Sequence, residues 1–172
     1  MKKILFLLAP IFCLNAQVDL SYYLGDTSNY NQSIPTPESV IGHQVGELHV
    51  SHDKLSHYIQ EVSKNSKRVK LVNRGKTYEN RTSWLLIITS ESNHLRLEEI
   101  QKKHLELSNS KNKDIDLSNM PVVVYKGYTV HGDEPSGTNA TLLLMYHLLA
   151  SDSEETKDLL ENTIILLDPS MN

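Results

Sequence analysis

Two residues three positions apart, His131 and Glu134, carry the most specific chemistry of this chain, in the run Tyr128-Thr129-Val130-His131-Gly132-Asp133-Glu134-Pro135-Ser136-Gly137. An imidazole nitrogen and a carboxylate oxygen are both donors that Zn²⁺ accepts, at about 2.0–2.2 Å. A catalytic zinc needs three protein donors and an open position for water, and this run offers two. The spacing alone also suits a hydrogen-bonded core histidine followed by an acid that serves a helix dipole. The surroundings favour the metal. A loop-forming glycine, two acids and a histidine lie between two apolar segments, where polar groups without a task are costly to place.

The elements on either side must hold these donors. Residues 121–124 are an apolar burst that leads through Tyr125 to Val130. They read as a buried strand delivering His131 at its carboxyl end, where open α/β sheets bind ligands. Gly132 is expected to make the sharp turn, with Glu134 opening the following helix and Pro135 suiting its first turn. Residues 137–150 contain Leu142 to Met145 and Leu148-Leu149, too apolar for a helix with an exposed face. Upstream, Leu55, Tyr58, Ile59 and Val62 have i, i+3, i+4, i+7 spacing, which predicts an amphipathic helix over 51–66 with Ser51 as N-cap. Residues 68–73 and 83–89 are β-branched runs that read as neighbouring strands, and 95–107 reads as a helix. Ser151 and Glu154 have capping-box spacing and open a short helix to 161, before a last strand over 163–167. Alternating strands and helices predict an α/β fold with helices on the faces of one sheet.

With 172 residues and 39% apolar content, the chain is long enough for one ordinary domain with a sizeable core. A formal charge of −4 argues against a face built to neutralise phosphates, so no nucleic-acid partner is expected. Met1-Lys2-Lys3, an apolar run over 4–14 and Asn15-Ala16-Gln17 have the order of a secretory signal, with cleavage expected after Ala16. The apolar run is shorter than the ~20 residues that span a bilayer, so no permanent membrane anchor is expected. Cleavage takes away Lys2, Lys3 and Cys13, moving the charge from −4 to −6 and leaving no cysteine. The protein is therefore expected to be secreted or periplasmic and held by its core rather than by disulfides. The partition is a signal peptide over 1–16, an extended surface lead-in over 17–46, and a folded domain over 47–172.

With these motifs assembled, the chain resembles the M14 zinc carboxypeptidases (the funnelin group), in their bacterial secreted branch. The run from His131 to Gly137 is similar to the family's His-x-x-Glu zinc motif and the helix after it. Gly75-Lys76-Thr77-Tyr78-Glu79-Asn80-Arg81 resembles the family's Gly-x-[Ser/Thr]-x-Glu-x-Arg segment between its first two strands. Ile34-Pro35-Thr36-Pro37-Glu38 and Ile88-Thr89-Ser90 are similar to segments of the bacterial branch. The resemblance implies a mixed β-sheet sandwiched by helices. It also implies one Zn²⁺ with His131 and Glu134 as its first two ligands, and a peptide or protein substrate that loses its C-terminal residue. In that chemistry zinc lowers the pKa of bound water toward about 7 and polarises the carbonyl. A separate glutamate moves the proton, and an arginine pairs with the substrate's carboxylate. The family pattern places an Asn-Pro-[Asp/Asn]-Gly stretch from Asn172 onward. The third ligand, a histidine, the substrate-binding arginines and the general-base glutamate are expected beyond that point. The domain is therefore expected to be incomplete at its C-terminus and inactive by itself. Asp133 stands where many digestive members carry an arginine, so their specificity does not transfer.

Other histidines are assigned ordinary roles. His147 is expected to be packed or at a rim, His49 and His52 solvated at a helix start, and His43, His57, His94 and His104 on the surface. Glu79 and Arg81 are expected to form a structural ion pair. No phosphate loop and no Gly-x-Ser-x-Gly elbow occurs. Two further functions stay open: a zinc-dependent acyl-amino-acid deacylase, a related group that also uses His-Gly-x-Glu, and a non-catalytic peptide-binding pseudo-peptidase.

Overall fold

The computed structural model describes residues 20–109 and 115–172, so the expected signal segment over 1–16 lies outside the described residues. In chain order the elements are α1 (Leu20–Leu24), α2 (Pro37–Ile41), α3 (His52–Asn65), β1 (Val69–Lys76), β2 (Thr82–Ile88), α4 (Glu91–Leu95), α5 (Leu97–Leu107), β3 (Val122–Gly127), α6 (Pro135–Ala150), α7 (Glu154–Asn162) and β4 (Thr163–Asp168). The four strands form one mixed sheet in the order β1-β2-β4-β3. β1 and β2 are antiparallel, as are β2 and β4, whereas β3 and β4 run parallel. Parallel neighbours need a long crossover, which α6 and α7 provide between β3 and β4.

Side chains alternate across the sheet, so each strand feeds two layers. On one face Leu86, Ile88, Ile165 and Leu167 meet Leu55, Tyr58, Ile59 and Val62 of α3 and Leu142, Met145 and Leu149 of α6. The apolar stripe of α3 is the one its spacing predicts, and Ser51 occupies the N-cap without a side-chain cap bond. On the other face Leu97 and Ile100 of α5 stand opposite Ile87, Val123, Ile164 and Leu166. Helices on both faces of a mixed sheet are the architecture the resemblance implies.

Four local readings are corrected. β3 stops at Gly127 instead of reaching Val130, and it is an exposed edge rather than a buried strand, with Val122 at 62% and Tyr125 at 52% exposure. Its apolar run reports strand propensity, but burial depends on neighbours, and among the described residues only β4 flanks it. The helix expected over 95–107 starts at Leu97 as α5, with Arg96 separating it from α4, whose last residue is Leu95. The N-cap of α7 is Ser153, whose hydroxyl accepts from the Thr156 N–H, and not Ser151. The segment expected to be an extended lead-in contains α1 and α2, and it buries Tyr30, Ile34, Ile41 and Val45 in the core. Its signals were capping ones: Thr36 accepts from the Ser39 N–H, Pro37 begins the helix and Gly42 closes it in the left-handed conformation.

Three tyrosines make the core sensitive to alkali. Burial, with a smaller contribution from Tyr146, holds the Tyr58 phenol well above its ordinary range. Burial raises Tyr30 and Tyr146 as well. Unfolded tyrosines titrate near pH 10, so the folded state keeps protons that the unfolded state loses. The stabilisation is complete below that pH and declines as pH rises through it. We expect cooperative alkaline unfolding above about pH 10, with tyrosinate absorbance and near-UV circular dichroism changing together. Gradual tyrosinate formation with unchanged dichroism would contradict this.

Candidate metal centre

The loop bearing His131 and Glu134 starts from the paired carboxyl ends of β3 and β4, where Gly127 stands opposite Asp168. Pairing continues past both strands. Tyr128 N–H donates to the Asp168 carbonyl (2.9 Å), Met171 N–H to Tyr128 (3.0 Å), and Asn172 N–H to Thr129 (3.1 Å). The chain then turns at Thr129, which has φ 52°, a left-handed conformation in a β-branched residue. The sharp turn expected at Gly132 is therefore made at Thr129, and Gly132 stays outside the left-handed region.

Thr129 is buried, its Oγ1 lies 3.0 Å from Thr138 Oγ1, and its hydroxyl donates to the Pro169 carbonyl at 3.4 Å. The first turn of α6 closes onto this residue through Gly137. A Cβ on Gly137 would stand 2.7 Å from Thr129 N, closer than real Cβ atoms come, so a side chain there would force the backbone to shift. Between these anchors a turn is closed by Glu134 N–H donating to the His131 carbonyl at 3.1 Å. Glu134 is the extended N-cap of α6 rather than a first-turn residue, and Pro135 occupies the first helical position.

Both candidate ligands are exposed, and among the described residues neither side chain is engaged in a hydrogen bond or ion pair. Glu134 makes no cap bond to its own helix, so its carboxylate is available, and the positive end of the α6 dipole favours its charge. A free imidazole and a free carboxylate on one tight turn suit zinc in donor type and availability. Among the described residues no group of three or more His, Cys, Asp or Glu side chains is placed to hold a metal ion. The turn thus offers two donors.

Beside the turn lies a cleft of about 540 Å³ whose lining includes Gly132, Asn172, His49, His52, Tyr78 and Arg81. His52, expected to be solvated, is half-buried, with its Nε2 3.0 Å from the Thr82 carbonyl. The loop between β1 and β2 that forms the opposite rim is tightly made. Thr77 N–H donates to Arg81 O (2.8 Å), and Asn80 takes a left-handed φ of 64°. Glu79 and Arg81 form the expected ion pair at 3.0 Å with both side chains exposed, a contact of small energetic weight.

The remaining histidines divide. His49 and His57 are exposed, but His43 is buried at 8%, with Nδ1 3.0 Å from the Gln44 carbonyl. His94 is half-buried, and His104 Nε2 lies 2.9 Å from the Pro121 carbonyl. These three departures from a surface assignment share one cause. A polar local sequence does not reveal which elements fold over it. His147 packs as expected, its Nδ1 hydrogen-bonded to the Tyr30 hydroxyl.

One polar cluster near the loop has no signal in the sequence. Asp168, 2% exposed, accepts from Arg74 and from the Tyr125 hydroxyl (2.8 Å), tying β1, β3 and β4 together at the end that carries the loop. Donation to this carboxylate raises the Tyr125 pKa, since the neutral phenol is the form that can donate.

Comparison with known proteins adds the family. Searching the curated proteins gives no match for the chain. A family model described as zinc carboxypeptidase matches residues 55–172, a stretch that contains the whole sheet, the His131–Glu134 turn and α6. On that match the chain belongs to the zinc carboxypeptidase family, a family of zinc-dependent hydrolases.

Proposed function

We propose that this chain carries the zinc-binding turn of a secreted metallocarboxypeptidase, with His131 and Glu134 as the two donors it contributes. The observation that supports this most is the pairing of two unengaged donors on one tight turn, beyond the carboxyl ends of parallel strands, in a member of a zinc-dependent family. A bound zinc would supply Lewis-acid polarisation of the scissile carbonyl and an acidified water. The chain's own residues supply the rest of what is described. Glu134 brings a carboxylate, His131 an imidazole nitrogen, and the adjacent cleft offers hydroxyl, amide and imidazole groups to a peptide backbone.

A third metal donor is not brought to the turn by the described residues. These 172 residues are therefore expected to bind zinc weakly and to hydrolyse little by themselves. The same observation favours a second reading, a peptide-binding protein without catalysis. Two assays in parallel, release of C-terminal residues from peptides and cleavage of N-acyl amino acids, separate these readings from a deacylase. Peptide trimming that a chelator stops and zinc restores supports the carboxypeptidase. Cleavage of N-acyl amino acids alone would replace it with the deacylase, and peptide binding without turnover would leave the non-catalytic reading.

A further inference from the structure

We propose that Thr129 is a positioning residue whose left-handed backbone and buried hydroxyl clamp both ends of the His131–Glu134 turn. Among the described residues only Asn80 and Thr129 combine a side chain with positive φ. Asparagine enters that region readily, whereas a β-branched residue there is a genuine outlier. Such a conformation persists only where its surroundings over-determine it, and outliers of this kind cluster at functional sites.

The surroundings of Thr129 do over-determine it. Its carbonyl accepts from Asn172 N–H, its hydroxyl bonds Thr138 Oγ1 and reaches the Pro169 carbonyl, and Gly137 lies so near that a Cβ there would stand 2.7 Å from its backbone nitrogen. These contacts come from both sides of the turn. Thr129 lies two residues before His131, while Gly137 and Thr138 follow Glu134 on the first turns of α6. The Thr129–Thr138 hydroxyl bond therefore closes the base of the loop, and the seven residues 130–136 between Thr129 and Gly137 depart from and return to one fixed point. A relaxed strand exit would leave the first donor free to move relative to the second. The exchange of a relaxed backbone for a fixed exit angle is what pre-organisation of two ligands requires.

The inference rests on the zinc reading only for its purpose, so its test uses two readouts. Thr129→Val keeps the shape but removes the hydroxyl and disfavours positive φ. Thr138→Val removes the same bond without touching the strained backbone, and serves if the first variant does not fold. Thr129→Asn favours the left-handed region and is the rescue. In the metal-free 172-residue chain, amide hydrogen exchange at Glu134 is expected to quicken about tenfold in either valine variant, while β4 amides keep their protection. Zinc affinity by direct titration is expected to fall about tenfold, and Thr129→Asn is expected to stay closer to the parent in both readouts. Unchanged Glu134 exchange in a folded valine variant overturns the inference, whatever the metal does. Quickened exchange in the valine variants, with a parent chain that binds no zinc, sustains the clamp and removes the zinc reading alone.

Discussion

His131→Ala is expected to reduce zinc affinity by more than the about 10- to 100-fold that loss of a mere supporting partner costs, because it removes one of the two donors themselves. The fold is expected to survive. His131 is exposed and engages no described side chain, so stability should stay within about 0.5 kcal/mol of the parent in denaturant titration. Glu134→Gln is the companion: it preserves size and the exposed N-cap position but withdraws the charge that both a cation and the α6 dipole favour. A direct metal titration reads both variants without reference to turnover. Parent-like zinc affinity in His131→Ala would dismiss this imidazole as a ligand and with it the proposed site.

Gly137→Ala is expected to destabilise the protein, against the direction that helix propensity predicts. Alanine exceeds glycine by up to about 1 kcal/mol in a helix interior, and on that ground the substitution would help. The added Cβ, however, falls 2.7 Å from Thr129 N and 3.1 Å from Thr129 Cα, both backbone atoms that cannot swing aside. α6 must slide away from the strand ends, and since it buries Leu142, Met145, Leu148 and Leu149, the displacement propagates into the core. Overpacking of this kind costs about 1–3 kcal/mol, so a net loss should appear as a lower denaturation midpoint at unchanged slope. Zinc affinity should decline with it, because the same shift loosens the return end of the turn. A variant more stable than the parent would show that α6 is not seated as described.

The two expectations meet at a shared junction. In the proposed site His131 and Glu134 are the donors, and Thr129, Gly137 and Thr138 behind them are the residues proposed to set their separation. A substitution in this second group acts on the metal through geometry, which is why hydrogen exchange and metal titration together distinguish it from a lost ligand.

Much of the architecture is legible in one dimension. The stripe Leu55, Tyr58, Ile59 and Val62 announces α3, the all-round apolar run from Leu142 to Leu149 announces α6, and the β-branched runs announce β1, β2 and β4. Helix and strand periods are local properties, and burial of one face is their direct consequence. The pair His131 and Glu134 is equally legible, since donor type and spacing are chemical facts of the chain. What the chain alone does not disclose is decided between distant segments. β3 has the apolar content of a buried strand but lies at an edge, because exposure is set by its neighbours and not by its composition. His43 lies in a polar stretch but is covered by elements folded over it. Conformational freedom points to Gly132 for the turn, yet it falls on Thr129, where contacts from Pro169, Asn172 and Thr138 outweigh the residue's own preference. The amino-acid order thus names the candidate donors and the elements that carry them. Their placement followed only when segments remote along the chain met at the ends of β3 and β4, because a backbone angle opposed to local preference can be held only by contacts that local sequence does not contain.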